Sequence, residues 1–426
     1  MRAFGNSPAR LTTLMLTLIV ASCSTVAPQT PAATIPPTLA PLTPNTTLTA
    51  TRIPPTRTPI ASTGAVTLTL WTSEDFLVGT LLRNQLDAFT AANPNIAIDI
   101  ALKKSTGKGG LLDSLQTTLA VVPALAPDLI TLDLSEVPAA IESNSLQSFD
   151  ALLPAELQND FFPFASKATR YRNQWLAVPF AADAQHLVFN KTSIKKMPAT
   201  WDEVLKQRTP LLLPLGGDDA DWLQYAALTA STELTLPVDA NGAAQVLGFF
   251  KRARDLGLLN DAALGAKSVD EAWNLFVAGQ LPAAQVSASR YITEREKFPN
   301  VQFAAIPTRD GKIASIATGW AFALTTRDAA RQIASAKLIV WLMQAERLAP
   351  WLRAMHRVPA TRSAIFIAVD PPDYSIFMRD HLERATLISR TPAFNRISEA
   401  WRAAVVNVSR GQTTPEDAAR TIAGIK

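Results

Sequence analysis

Few side chains in this sequence could make or break a covalent bond. Its 426 residues include one cysteine and three histidines. His186, His356 and His381 stand far apart with no metal-ligand spacing, so each reads as a surface or packing residue. One cysteine excludes an internal disulfide and a zinc site built on paired thiolates. "SIKK" at 193–196 has a Ser-x-x-Lys frame without its companion motifs. "STGKGG" at 105–110 has the glycines of a phosphate loop but not the spacing. Carboxylates cluster in "GDDAD" at 217–221, yet glycosidase chemistry needs two at a set separation, which the sequence does not give. No metal or cofactor is expected. The chain does set aromatic faces beside hydrogen-bonding groups. Trp71 stands near Ser73 and Glu74, Trp222 near Asp221 and Gln224, Trp320 near Thr318, and Trp351 near Arg353. Such pairings suit the non-covalent holding of a solute with apolar C–H faces and hydroxyl edges.

Charge narrows the partners. The chain carries 40 basic and 36 acidic residues, for a net charge of +4. Arg2, Arg10, Arg52 and Arg57 account for that excess, because residues 1–64 contain no Asp or Glu. The remainder is formally neutral, which argues against a nucleic-acid surface.

The cysteine has its own setting. Arg2 and Arg10 precede the apolar run "LTTLMLTLIVA" at 11–21, which is too short for a permanent span. "V-A-S-C" follows and resembles the lipobox of bacterial lipoproteins. By that resemblance 1–22 is a signal peptide and Cys23 is the lipid attachment point, placing the protein on the outer face of the cell membrane or in the periplasm. Two or more acyl chains give stable anchoring. Residues 23–64 are rich in Pro and Thr, have no hydrophobic period and read as an extended linker.

Folded sequence starts at Ala65. "AVTLTLW" alternates as a strand, and Leu82, Leu86 and Phe89 recur at helical spacing until Pro94. "IAIDIAL" at 96–102 is a second strand, 109–122 a helix and "PDLITLDL" at 127–134 a third strand. This rhythm predicts an α/β fold with a parallel sheet. Capping patterns at Thr200/Glu203 and Ser268/Glu271 mark helix starts, as does Thr414 before Pro415. Residues 328–344 and 395–411 read as amphipathic helices.

An ordered set of phrases resembles the extracellular solute-binding proteins of ABC importers, in the sugar-binding cluster that includes maltose-binding protein. They are "LTLWTSEDF", "NPNIAIDI", "APDLITLD", "LQSFDALLP", "YRNQWLAVPFAADAQHLVFNKTSI", "PATWDEVL", "AWNLFVAGQLPA", "ATGWAFAL" and "RVPATRSA". They run through nearly all of 65–426. "RNQW" departs from the family's glycine turn, and "ATGW" keeps one of two common glycines.

The resemblance implies a two-lobe periplasmic-binding-protein fold, each lobe a mostly parallel sheet flanked by helices. Lobe one would take 65–182 and 316–365, lobe two 184–306 and 366–426, with hinge crossings at 181–185 and 306–315. Ligand would bind between the lobes, at the C-terminal ends of strands. The implied contacts are Trp71, Ser73 and Glu74 after the first strand, Asp133 after the third and Asp183 at the hinge. Trp222, Ser287 and Arg290 would reach from lobe two. Thr318, Gly319 and Trp320 would lie in the second-hinge loop, where glycine would let backbone approach ligand. Trp351 and Arg353 would reach from lobe one. Trp201, Trp273, Trp341 and Trp401 read as core and Trp175 as turn packing. The implied protein is a lipid-anchored, monomeric, non-enzymatic receptor delivering a solute, a mono- or oligosaccharide first, to an ABC permease. A polyol, polyamine or peptide ligand stays open, as do a secreted glycan hydrolase and a solute sensor without a transporter.

Overall fold

The computed structural model describes residues 64–217, 221–230, 238–387 and 392–425. The signal peptide at 1–22, Cys23 and all of the linker but Gly64 lie outside the described residues, as do the side chains of 221–224 and 392–394.

Eleven strands are described: β1 Val66–Thr72, β2 Ile96–Leu102, β3 Leu129–Asp133, β4 Arg170–Tyr171, β5 Gln174–Trp175, β6 Ala177–Asn190, β7 Ala283–Ser287, β8 Val301–Ala304, β9 Ser315–Leu324, β10 Val358–Pro359 and β11 Ala385–Leu387. The first three match the expected strands to within two residues. The main sheet runs β10-β6-β9-β3-β1-β2. β1 lies parallel to β2 and β3, because a helix returns the chain across each connection. β9 lies antiparallel to both β3 and β6. The α/β two-lobe class therefore stands, but the sheets are mixed rather than mostly parallel. β9 comes back from the second lobe and enters the first sheet from the opposite end.

β6 is the spine. Its 14 residues are buried except for Asn190. From Ala177 to Ala184 it pairs with β9, while Gln185–Phe189 pair with β7 and Leu187–Asn190 with β8. The partner change after Ala184 falls inside the expected first hinge crossing. A strand buried on both faces reads as a continuous apolar run, and "AVPFAADAQHLVF" is one, broken by the polar residues at the change.

The core comes in two clusters. One spans the main sheet and reaches through the crossing, with Phe89, Leu129, Phe180, Phe322 and Trp351 among its members. The other gathers Leu187, Trp201, Phe249, Phe250, Trp401 and Val405. Helix ends follow the sequence signals. Thr200 and Glu203 form a reciprocal capping box on the helix Trp201–Gln207. Ser268 and Thr414 cap the helices Val269–Val277 and Pro415–Ala423. Where the family's turn glycine is missing, Arg172 and Asn173 both take left-handed φ, 48° and 65°, between β4 and β5. Asn tolerates that region better than most residues. Trp175 packs against Phe161 beside this turn, and its indole donates to Gln158.

Candidate functional site

A cavity of about 460 Å³ lies where β6 changes partners. Asp183, Gln185 and Thr318 line it from the crossing strands, and Ser287, Ser289 and Arg290 from the end of β7 and the helix Ala288–Glu294 that follows. Asp183 and Gln185 are two apart on one strand and so face the same side. His356 and Arg357 close another wall. They get there because His356, with φ of 54°, turns the chain sharply after the helix Ala345–Ala354. A larger cavity of about 680 Å³ is lined by Asp128, Ser145 and Arg331. It lies at the N-terminal end of β3, whereas α/β sheets bind ligands at the C-terminal ends of strands. The cavity at the crossing is thus the candidate site.

Asp183 organises it. The residue is only 8% exposed. One oxygen accepts from the Arg357 guanidinium at 2.7 Å and from the Ser289 hydroxyl. The other accepts the Ser289 backbone N–H at 3.0 Å. Burial pushes its pKa above the ordinary 3.8, against the opposing pull of Arg357 and the Ser289 donors. The Arg357 guanidinium also sits over the Trp320 ring, 4.6 Å from its centre. Ser287 caps its helix, accepting from the Arg290 N–H. Arg290 pairs with Glu294 at 2.8 Å, and Glu294 accepts from the Trp273 indole at 3.0 Å. Gln285 donates to Gln185 on the neighbouring strand. The lining is a set of fixed polar groups with hydroxyls and guanidinium donors, an arrangement that binds a polar solute by hydrogen bonds.

The expected contacts divide. Asp183, Ser287, Arg290 and Thr318 meet at the cavity. Trp320 backs it through Arg357, and its ring meets that of Phe76 in a T-shaped contact. Trp71 is buried at the end of β1, its ring capped by Lys103 at 4.1 Å. Ser73 caps the short helix that Glu74 begins, and Glu74 is exposed. Asp133 turns the chain after β3, accepting the Ser135 N–H and hydroxyl at 2.8 and 2.6 Å. The Trp222 side chain lies outside the described residues.

Three expectations change. Gly319 does not clear backbone for a ligand. A Cβ there would sit 2.3 Å from the Ala181 carbonyl oxygen and 2.9 Å from Leu134, so the glycine serves strand packing beside the bulge at Pro179–Ala181. Trp351 is 0% exposed, stacked on Phe180 and donating to the Phe76 carbonyl at 2.8 Å. It anchors the core and does not reach the cavity. Arg353 points elsewhere, pairing with Asp370 at 3.1 Å and donating to the Ile367 and Ala368 carbonyls. Sequence reasoning missed Gln185, Ser289, His356 and Arg357. For Gln185 the signal was its alternation with Asp183. Trp201, Trp273 and Trp401 are buried as expected, and Trp341 is partly covered by Arg347. His186 and His381 are core residues.

Two sheets sharing one strand, with a polar cavity at the crossing, define a two-lobe binding protein. The protein belongs to the bacterial extracellular solute-binding proteins, whose family model matches residues 84–374. Members of this family are extracellular or periplasmic proteins that bind solutes. Among the described residues no helix is long and apolar enough to cross a membrane. The fold is that of the sugar-binding protein MalE from Xanthomonas citri, with a TM-score of 0.68, 20% identity and coverage of 84% of this chain and 95% of that one. It is also that of the cyclic alpha-maltosyl-1,6-maltose binding protein from Arthrobacter globiformis, at 0.67, 18%, 84% and 97%. A maltotriose-binding protein of Pyrococcus abyssi is 28% identical over 86 residues, 20% of this chain and 19% of that protein. The chain therefore matches about a fifth of that relative's length.

Proposed function

We propose that this protein is a lipid-anchored receptor that captures a carbohydrate outside the cell and delivers it to an ABC import permease. Lobe one takes 65–182 and 316–365, lobe two 184–306 and 366–426, and the crossings serve as hinges. A ligand touching both lobes favours the closed state, which the permease reads. One observation carries this reading: the polar cavity at the β6 partner change is lined from both sides, by Thr318 and Arg357 on one and Ser287, Ser289 and Arg290 on the other. Asp183, Ser287, Arg290 and Thr318 are its proposed contacts. Trp71, Ser73, Glu74, Asp133 and Trp222 stay as candidate contacts in an open cleft. The maltose-type ligands of the structural relatives support a carbohydrate. So does the lining, which pairs hydroxyls and guanidinium groups with the planar amide of Gln185.

Calorimetric titration with maltose, maltotriose and a broad set of other oligosaccharides tests the ligand. Saturable binding that Thr318→Ala and Ser287→Ala weaken is the expected result. Failure of every sugar to bind or to raise the unfolding temperature overturns the carbohydrate assignment. Cys23→Ala should leave the chain without its lipid and with residues 1–22 uncleaved, and a Cys23→Ala protein that stays in the membrane fraction with no unprocessed species present would refute the anchor.

A further inference from the structure

Asp183 stands on the strand both sheets share, and its donors come from opposite sides. Arg357 belongs to the segment entering β10, which pairs with β6 at Ala181 and Ala182. Ser289 lies in the first turn of the helix after β7, and β7 pairs with β6 from Gln185 onward. Arg357 is further held by the Trp320 ring on β9. The chain of contacts Trp320–Arg357–Asp183–Ser289 thus runs from the first sheet, across the crossing strand, to the second. Each link is short, and the central carboxylate is buried. Charge-assisted hydrogen bonds are stronger than neutral ones, and a planar guanidinium fixes direction where an ammonium does not. Losing Arg357 would leave a buried carboxylate with no cationic partner, held only by neutral donors from Ser289 and the Ala288 backbone, and water would enter the crossing to solvate it.

We propose that Arg357 is a positioning residue of the solute site: through Asp183 it ties Ser289 of the second lobe to the first and sets how far the cleft stands open before ligand arrives. The inference rests on the two-lobe reading above. A tie of this kind narrows the range of unliganded lobe angles, so less freedom is lost when a solute binds.

The test needs no ligand, so it is independent of the sugar assignment. Nitroxides are placed at Arg83→Cys and Lys206→Cys, both exposed and on helices of opposite lobes, in the full chain carrying Cys23→Ser. Pulsed electron–electron resonance then reads the interlobe distance. Arg357→Ala should broaden the distribution and shift its mean to longer distance. Arg357→Lys keeps the charge but not the planar face over Trp320, so it should fall between. Ser289→Ala loosens the same tie from the other lobe and should move the mean in the same direction, which keeps the test open if Arg357→Ala does not fold. A purely local packing role would lower the unfolding temperature and leave the distances in place. Distributions for Arg357→Lys and Ser289→Ala that superimpose on the parent overturn the proposal.

Discussion

Asp183 and Gly319 are single residues whose roles come from backbone placed far away in sequence. The Asp183 donors lie 106 and 174 positions further along the chain. Its place in the strand that links the two sheets was readable from the family phrase, but its partners were not, because no local pattern encodes a contact of that span. Gly319 looked like a loop glycine and is a strand glycine, pressed against the Ala181 carbonyl. Gly319→Ala should therefore destabilise the fold by about 3 kcal/mol, the range for forcing an atom into packed backbone. Urea unfolding checks it, and a midpoint equal to the parent's would contradict the close approach. The tryptophans teach the same point. Trp320 and Trp351 were both read as ligand contacts, yet one backs the cavity and the other is core, because only Trp351 meets the Phe76 carbonyl and the face of Phe180.

At the scale of elements the local signals held best. Helix starts were legible because a Ser or Thr three residues before Glu satisfies backbone N–H groups that the helix itself leaves open. Thr200 accepts the Glu203 N–H at 3.2 Å, while Glu203 reaches back to the Thr200 and Ala199 N–H groups. Thr200→Ala should cost about 1 kcal/mol. Guanidinium unfolding should show the lower midpoint with an unchanged slope, and no shift would mean the cap contributes nothing. Sheet direction was less legible. Alternation marks β1, β2 and β3 as strands, but it does not say that β9 enters between β3 and β6 from the opposite end.

For the whole molecule, two buried histidines make stability depend on pH. His186 is wholly buried, its Nδ1 facing the Leu187 carbonyl at 2.8 Å and its Nε2 the Tyr374 hydroxyl at 2.9 Å. The carbonyl requires a proton on Nδ1, so Nε2 accepts from tyrosine. Burial pushes His186 down to about 3 and His381 to about 4, from an ordinary 6.5. The unfolded chain thus binds more protons between 6.5 and those values. Stability is complete above pH 6.5 and falls as pH drops through that window, by about 2 kcal/mol per histidine at pH 5. Asp183, with its raised pKa, works in the opposite sense and offsets part of the loss at low pH. Unfolding temperatures from pH 8 to 4 check this. His186→Gln should flatten the acid limb, and a limb unchanged by that substitution would assign the loss to other groups.

The sequence by itself determined the first three strands, the helix starts at Thr200, Ser268 and Thr414, the formal neutrality of residues 65–426 and the family. These rest on periodicity, local hydrogen bonding and ordered phrases, all carried by neighbouring residues. Tertiary structure alone decided that Trp351 is core, which way β9 runs, and that Asp183 collects Arg357 and Ser289 at one cavity. Those outcomes depend on where a single 14-residue strand exchanges one sheet for another, and strand pairing over such distances is set by the packing of the whole chain.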